Sequence, residues 1–190
     1  DGLPGLIVDR YGDVVAAQLN TAGMDALRGS LLSALRSLAG ARAIVLRDDS
    51  WARRLEGLES TVEGDAVDGP IALRENGLEF LADLAGGQKT GWFYDQRDNR
   101  AAVAKLAEGR RVLDVYSYAG GFGVLAACAG AAEVVAVDRS ERALALAEQA
   151  AQANDVAQRC RFVKAEAFAE LERLAGERFD IVVADPPAFV

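Results

Sequence analysis

The feature that most constrains the fold is a regular alternation of short apolar segments with helical segments in the second half of the chain. The segments predict strands at residues 112–115, 134–137, 161–163 and 179–184, and helices at 122–129, 140–154 and 167–174. Strands that alternate with helices form a parallel sheet, because each crossover helix returns the chain to the same end of the sheet. We therefore predict an α/β fold built on a doubly wound, parallel, Rossmann-like sheet.

The first half of the chain follows a different pattern and predicts a smaller α+β domain over residues 1–86. Two strands flank a turn at residues 10–13, a leucine-rich helix spans residues 24–38, and a hairpin turns at Asn76-Gly77. We place the domain boundary near Gly86-Gly87, so that residues 87–190 form the second domain. That domain begins with a helix over residues 95–107.

Composition excludes several classes of function. The 190 residues contain no histidine, which removes histidine bases, catalytic triads and histidine-ligated metals, and we predict no metal site. Two cysteines cannot build a disulfide framework, and no apolar run approaches the roughly 20 residues that a membrane helix needs. A cytoplasmic protein with no membrane partner is expected. The net charge of −8 argues against strong sequence-independent binding of nucleic acid.

Acidic residues stand at the end of each of the four predicted strands, where a doubly wound sheet binds its ligand. In order they are Asp114, Asp138, Glu166 and Asp185. Each has a plainer structural explanation, such as a helix cap, a first-turn carboxylate or a rigid strand end at Asp185-Pro186-Pro187. Together they favour a site in which Asp114 binds an ammonium, Asp138 a ribose and Glu166 an adenine. Asp185 and its prolines suit a planar base.

The loop after the first predicted strand supplies the glycines that a close cofactor contact requires. Residues 121–126, GFGVLA, also match the dinucleotide-binding pattern G-x-G-x-x-G/A. Five residues separate that pattern from the strand, and Asp114 stands within the strand end. This layout favours S-adenosylmethionine. A nicotinamide-dependent oxidoreductase stays open as a less favoured alternative, as does a simple strand-to-helix turn.

The segment at residues 87–100 combines two glycines, three consecutive aromatic residues and a run of polar residues. This combination predicts a lid over the cofactor. A hairpin followed by a charged helix start explains the same residues equally well. Between residues 95 and 111 there are five basic and three acidic side chains, a local excess that a solvated helix face also accounts for.

These motifs resemble those of the large-subunit ribosomal RNA cytosine-C5 methyltransferases that carry an N-terminal PUA domain. Four segments carry the resemblance, which covers nearly the whole chain: residues 1–13 (DGLPGLIVDRYGD), 88–100 (QKTGWFYDQRDNR), 117–122 (SYAGGF) and 185–189 (DPPAF). The resemblance implies S-adenosylmethionine as cofactor, with Asp185 at the target base. It implies a cofactor site formed by Lys89, Gln96, Asp114, Tyr116, Ser117, Tyr118, Gly120, Gly121, Asp138, Ser140, Glu166, Ala167 and Asp185. Lys89 and Gln96 would close over the cofactor, and the family usually has aspartate where Glu166 stands.

The reaction implied by the resemblance is covalent. A cysteine thiolate adds to C6 of cytosine, C5 attacks the methyl group, and a base removes the C5 proton before the thiolate leaves. Cys128 lies in an apolar helix and is interpreted as core, and Cys160 precedes a strand. Ala188 stands where some RNA cytosine methyltransferases carry a cysteine. The nucleophile is therefore expected beyond Val190, and the PUA domain before Asp1.

The expected partner is RNA, either ribosomal RNA itself or a ribosomal particle, and a homodimer is left open. The main alternative is a base N-methyltransferase acting on guanine or an exocyclic amine, because the Asp-Pro-Pro motif holds a planar amine and this chemistry needs no cysteine. A noncatalytic RNA-binding module is a third interpretation, which the acidic charge disfavours.

Overall fold

The computed structural model describes residues 2–87 and 90–186. The chain forms two compact units that interleave in sequence: residues 1–71 with 82–93, and residues 72–81 with 94–190. The sequence predicts one domain boundary, near Gly86-Gly87. In the structure that point lies within the segment 82–93, which packs with the first unit. The difference has a physical cause, because a hairpin within the first 86 residues packs with the second unit, and local sequence patterns do not report such long-range packing.

The first unit is built on a four-stranded sheet. Its strands are β1 Leu6–Tyr11, β2 Val14–Leu19, β3 Ala43–Asp48 and β4 Thr61–Gly64, and its helices are α1 Ala22–Ala26, α2 Arg28–Leu38 and α3 Trp51–Leu55. The sheet order is β1-β2-β3-β4, with β2 and β3 parallel and the outer pairs antiparallel. Leucines of α2 pack on the valine, isoleucine and leucine side chains of β2 and β3, which closes the core of this unit.

The helix predicted at residues 24–38 is two helices. Leu27 adopts φ −91° and ψ 6°, which ends α1 and begins α2. The prediction missed the break because Leu27 falls on the same apolar stripe as the leucines that follow it. The first hairpin was predicted correctly, whereas α3 and β4 were not predicted, since a five-residue helix and a mostly exposed four-residue strand show little periodicity.

A buried ionic cluster stabilises the first unit. Asp48 is fully buried, and its carboxylate accepts hydrogen bonds from the Leu19 backbone N–H at 2.8 Å and from Arg28 at 2.6 Å. Arg53, also buried, lies 3.8 Å from Asp48 and donates to Asp25 at 3.1 Å. A buried carboxylate is tolerated only when it is paired and hydrogen-bonded, and this cluster meets that condition.

The second unit contains the predicted Rossmann-like sheet. Its elements are β7 Arg111–Val115, α5 Gly121–Cys128, β8 Glu133–Asp138, α6 Glu141–Ala153, β9 Cys160–Lys164, α7 Ala167–Arg173 and β10 Ile181–Ala184. The four strands are parallel, in the order β10-β7-β8-β9. The chain runs outward from β7 to β9 and then returns to the other side of β7. A switch point therefore lies between β7 and β10, and doubly wound sheets bind their ligands at such a point.

A hairpin of β5 Ile71–Glu75 and β6 Leu78–Ala82 belongs to the second unit through most of its length. Asn76 and Gly77 have φ values of 51° and 82°, as the Asn-Gly turn requires. The Asn154 side chain, at the end of α6, accepts from the Glu79 backbone N–H at 3.1 Å and donates to the Glu79 carbonyl at 2.7 Å. One amide side chain thus replaces a strand neighbour and anchors the edge of the hairpin.

The helix that precedes the sheet is shorter than predicted. A 3₁₀ turn at Tyr94–Gln96 leads into α4, which spans Arg97–Ala104, where the sequence predicted a helix over residues 95–107. A second 3₁₀ turn lies at Ala157–Arg159. No helix within residues 2–87 and 90–186 is long and apolar enough to cross a membrane.

Candidate functional site

The carboxyl edge of the parallel sheet brings together the acidic residues predicted from the sequence. Asp114 and Asp138 lie at the ends of the neighbouring strands β7 and β8, and Asp185 follows β10 on the other side of β7. Asp138 and Asp185 both act electrostatically on Asp114, raising its pKa. Three carboxylates therefore surround the switch point of the sheet, an arrangement that favours a ligand carrying a positive charge and hydroxyl groups.

Asp114 is held in an environment that opposes its ionisation. The residue is 1% exposed, and its Oδ2 accepts a hydrogen bond from the Gly123 backbone N–H at 2.9 Å. Burial raises the pKa of Asp114 from 3.8 to about 7, although the Gly123 hydrogen bond and the charge of Arg100 act in the opposite direction. A carboxyl group in this state gains most from a cation that binds beside it, because the cation stabilises the charged form.

The turn after β7 has an unusual backbone. Tyr116 and Tyr118 have φ values of 63° and 48°, in the left-handed region that side chains other than glycine rarely adopt, and Gly120 follows at 78°. Ser117 lies between the two tyrosines, and its backbone N–H donates to the Val137 carbonyl at 3.0 Å. The Ser117 hydroxyl is buried and has no hydrogen-bond partner among the described residues. The turn therefore offers a buried polar group at the strand edge.

Three glycines in this loop are needed for three different reasons. Gly120 has a positive φ, and a Cβ there would lie 2.7 Å from the Ala147 Cβ of α6. At Gly121 a Cβ would lie 2.6 Å from Arg100 Nε, and at Gly123 it would lie 3.1 Å from Asp114 Oδ2. The sequence explains the glycines either by close approach of a ligand or by a strand-to-helix turn that needs a positive φ. Their observed contacts are to α6, to a buried arginine and to the strand-end carboxylate.

Asp138 is hydrogen-bonded on both carboxylate oxygens. Oδ2 accepts from the Tyr118 backbone N–H and Oδ1 from the Ser140 backbone N–H, each at 2.8 Å. The Ser140 hydroxyl caps α6 by accepting from the Ala143 N–H at 3.2 Å. Asp138 therefore joins the β7 turn to the β8 turn. Each carboxylate oxygen has a second lone pair, so hydroxyl donors still have acceptor sites.

Glu166 is the N-cap of α7. Its Oε2 accepts from the backbone N–H groups of Phe168 at 2.9 Å and Ala169 at 3.3 Å. Glu166 therefore acts as a carboxylate at the start of a helix, which was the plainer explanation of this residue. Ala167, the next residue, is buried. Phe168 is a large exposed apolar side chain at the same strand end. The contact of Glu166 and Ala167 with adenine stays a prediction.

Of the remaining predicted residues, the structure describes Gln96 and Asp185. Gln96 lies in the 3₁₀ turn before α4, and its Oε1 accepts from the Asn99 side chain at 2.7 Å. Asp185 is exposed at the end of β10. Lys89 lies outside the described residues, as do residues 187–190, which include the second proline of the Asp-Pro-Pro motif.

The burial of Arg100 was not predicted. The basic residues between positions 95 and 111 were interpreted as a local basic excess that a solvated helix face explains equally well, but Arg100 is 5% exposed and pairs with the buried Glu75 of β5 at 2.5 Å. Its guanidinium also lies 5.7 Å from the centre of the Phe122 ring at the start of α5. The available signal was its position three residues beyond Arg97, on a helix that leads into the strand before the glycine loop.

Neither cysteine lies at the carboxyl edge. Cys160 is the first residue of β9, at the amino edge, and Cys128 is the last residue of α5, the helix whose first turn lies at the carboxyl edge. Burial raises the pKa of both thiols, that of Cys160 to about 11, so both are thiols at neutral pH. Their interpretation as non-nucleophilic agrees with this placement.

A β10-β7-β8-β9 sheet with carboxylates at its switch point and a glycine turn into α5 defines a Rossmann-like, cofactor-binding domain. Comparison with known proteins gives the family. The family model described as S-adenosylmethionine-dependent methyltransferase matches residues 39–190. The chain belongs to this family, and S-adenosylmethionine is the family's cofactor. The match favours S-adenosylmethionine over the nicotinamide cofactor that the G-x-G-x-x-A spacing had left open.

Similar proteins agree with the family. Ribosomal RNA large subunit methyltransferase I of Aeromonas salmonicida is 42% identical over 195 residues, an alignment that covers 100% of this chain and 49% of that protein. The chain thus spans about half the length of the curated relatives it matches. A structure described as a SAM-dependent methyltransferase from Streptococcus mutans aligns with a TM-score of 0.82 at 26% identity, over 96% of this chain and 48% of that one.

A second solved methyltransferase structure, complexed with SAH, aligns with a TM-score of 0.83 at 26% identity. That alignment covers 98% of this chain and 49% of the other. The Rossmann-like α/β fold predicted from the sequence is therefore confirmed.

Proposed function

We propose that this chain binds S-adenosylmethionine at the carboxyl edge of its parallel sheet and forms the core of an enzyme that methylates large-subunit ribosomal RNA. The observation that carries the proposal is the buried Asp114 beside the strained turn and the Asp138 carboxylate. The name of the 42% identical relative supports ribosomal RNA as the substrate.

The proposed roles follow from the groups that each residue presents. Asp114 and the Ser117 hydroxyl bind the amino acid end of the cofactor, where an ammonium stabilises the ionised Asp114. Asp138 accepts hydrogen bonds from the ribose hydroxyls through its free lone pairs. Glu166 and Ala167 flank the adenine. When bound, the cofactor supplies an electrophilic methyl group, and the protein positions it.

Further cofactor contacts are proposed for the turn and for the segment before α4. The backbone of Tyr116, Tyr118, Gly120 and Gly121 lines the methionine end, and Ser140 fixes the turn beside the ribose. Lys89 and Gln96 close over the cofactor, and Asp185 faces the target base. In this proposal the first unit contacts the RNA, which is the substrate-side role assigned to residues 1–86 from the sequence.

The target atom is proposed to be C5 of a cytosine. This chemistry needs a thiolate, and neither Cys128 nor Cys160 lies at the carboxyl edge. A nucleophilic cysteine must therefore come from outside these 190 residues. The same observation gives some support to a second candidate, methylation of a guanine or an exocyclic amine, because an Asp-Pro motif at a strand end can hold a planar amine without a thiolate.

The cofactor proposal is tested by calorimetric titration with S-adenosylhomocysteine. We expect Asp138→Ala to weaken binding about tenfold or more, equivalent to about 1.4 kcal/mol. Glu141→Ala is the matched control, because Glu141 is an acid three residues further along whose partner is the exposed Lys164 at 2.6 Å. Unchanged affinity in a folded Asp138→Ala variant would contradict the assignment of the ribose site.

The substrate proposal needs a second measurement. The full-length protein is incubated with methyl-labelled S-adenosylmethionine and large-subunit ribosomal RNA, either free or in assembled subunits, and the digested nucleosides are analysed by mass spectrometry. Labelled 5-methylcytidine supports the proposed target atom. A labelled guanosine or an N-methylated base would instead identify the second candidate, and label on protein alone would contradict both.

A further inference from the structure

The buried ion pair between Arg100 of α4 and Glu75 of β5 lies beside the proposed cofactor pocket, although neither residue belongs to the strand-end motifs. Arg100 Nη1 and Glu75 Oε1 are 2.5 Å apart, and their side chains are 5% and 0% exposed. A buried pair of this kind gives little net stability, since desolvation opposes the attraction between the charges. Its retention calls for another reason.

The position of the Arg100 side chain gives the first part of that reason. Gly121, the first residue of α5, leaves the space through which the arginine passes, because a Cβ at Gly121 would lie within 3.1 Å of three Arg100 atoms. The guanidinium also lies 5.7 Å from the centre of the Phe122 ring, within cation–π range. Arg100 thus packs on the first two residues of the helix that follows the cofactor turn.

The charge of Arg100 gives the second part. Among the described residues, the charged groups that act on Asp114 are Arg100 from α4, Asp138 from β8 and Asp185 after β10, and of these three Arg100 is the positive one. Arg100 therefore opposes two carboxylates and the burial that all disfavour the ionised form of Asp114. Glu75 fixes the arginine in place from the opposite side, and the hairpin that carries Glu75 is itself anchored by Asn154.

We propose that Arg100, held by Glu75, is a positioning residue for the cofactor pocket: it fixes the start of α5 through the space left by Gly121 and supplies a positive charge that acts on Asp114, the proposed partner of the cofactor ammonium. The inference rests on the proposed function, because it assumes that Asp114 binds that ammonium. It assigns the β5–β6 hairpin a role in cofactor binding that no strand-end motif indicates.

The test is the pH dependence of S-adenosylhomocysteine affinity between pH 5.5 and 8.5, measured by calorimetry. Wild-type binding is expected to strengthen as the pH rises through about 7, as Asp114 ionises. Arg100→Met removes the charge but keeps an unbranched side chain. We expect its midpoint to move up by about one pH unit, which weakens binding about tenfold at pH 6.

Two further variants distinguish charge from packing. Arg100→Lys keeps the charge and is expected to hold the midpoint near that of the wild type. Lys105→Met, at the exposed end of the same helix, removes an equal charge that is not among those acting on Asp114, and it is expected to leave both affinity and midpoint unchanged. A folded Arg100→Met variant that loses affinity equally at every pH, with an unmoved midpoint, would overturn the proposal.

Glu75→Gln keeps the proposal testable if Arg100→Met does not fold. It preserves the shape of the pair and the charge of Arg100 while removing its counter-ion, so affinity is expected to fall without an upward shift of the midpoint. An upward shift in Glu75→Gln would assign the effect to general disturbance of the hairpin and overturn the role of the Arg100 charge. Failure of the wild type to bind S-adenosylhomocysteine would instead count against the proposed function itself.

Discussion

Replacing Asp114 by asparagine distinguishes the loss of stability that the buried carboxyl group causes from its proposed contribution to cofactor binding. The substitution keeps the size of the side chain and an oxygen that can accept from Gly123, but it removes the charge. The pKa of Asp114 is about 7 in the folded protein, compared with 3.8 for an unperturbed aspartate side chain. Between those pH values the folded protein retains a proton that the unfolded chain has released, so the stability of the wild type falls as the pH rises and levels off above about 7.

The magnitude follows from the width of that pH window. The gap is about three pH units, each worth about 1.4 kcal/mol, so ionisation of Asp114 lowers the free energy of unfolding by at most on the order of 4 kcal/mol. The Asp114→Asn variant has no ionisable side chain at this position, so its free energy of unfolding is not lowered in this way. Relative to the wild type, the ligand-free variant should become more stable from pH 4 to pH 7, while its affinity for S-adenosylhomocysteine at pH 8 falls.

Urea unfolding of both proteins at pH 4, 5, 6, 7 and 8 measures the effect, and the difference between them cancels the other titrating groups. A difference that stays constant across this range would refute the assignment of a raised pKa to Asp114. Undiminished S-adenosylhomocysteine affinity at pH 8 would refute its role in binding the ammonium, whatever the stability shows.

Three further predictions concern the framework of the two units. Gly120→Ala should cost about 1–3 kcal/mol more than Gly109→Ala in urea unfolding, because both glycines have positive φ but only at Gly120 would a Cβ meet α6, at 2.7 Å; equal costs would contradict the close packing. Asp48→Ala should cost about 3–5 kcal/mol because it removes the buried carboxylate that Arg28, Arg53 and the Leu19 backbone N–H share, whereas Asp13→Ala, in an exposed pair, should leave stability unchanged; similar effects would count against the buried cluster. Asn154→Ala should cost about 1–3 kcal/mol and speed amide exchange in the β5–β6 hairpin, and unaltered exchange would disprove the anchoring.

Much of the second unit could be predicted from the sequence because its signals are local. Short apolar strands alternate with helices, Ser140 caps α6 as its position indicated, and the Asn76-Gly77 turn forms the hairpin that its φ preference requires. The parallel order of the sheet then places Asp114 and Asp138 on neighbouring strand ends without further information. Such inferences succeed when one residue type and one spacing decide the outcome.

The features that could not be predicted depend on distant partners. The sequence pattern indicates that Arg100 is a surface residue on an amphipathic helix, whereas the structure buries it against Glu75, 25 positions earlier, and against Gly121 and Phe122 of α5. The interleaving of the two units has the same origin, since nothing near Asn76 in the sequence indicates that the hairpin packs with residues 94–190. Leu27 shows the converse, where an uninterrupted apolar stripe conceals a break between two helices.

Four locally unfavourable features occur within five consecutive positions, and their occurrence together favours a binding role. Between Asp114 and Tyr118 the chain has a buried carboxyl group with a raised pKa, two tyrosines with positive φ and a buried serine hydroxyl without a partner among the described residues. Each is unfavourable by itself, by about 1–3 kcal/mol. A fold retains such costs where a ligand offsets them, and an ammonium group beside Asp114 and Ser117 would offset two of them at once. In the proposed function, the strained turn and the buried carboxyl group are therefore one feature, a cofactor pocket formed at the expense of the stability of the ligand-free protein.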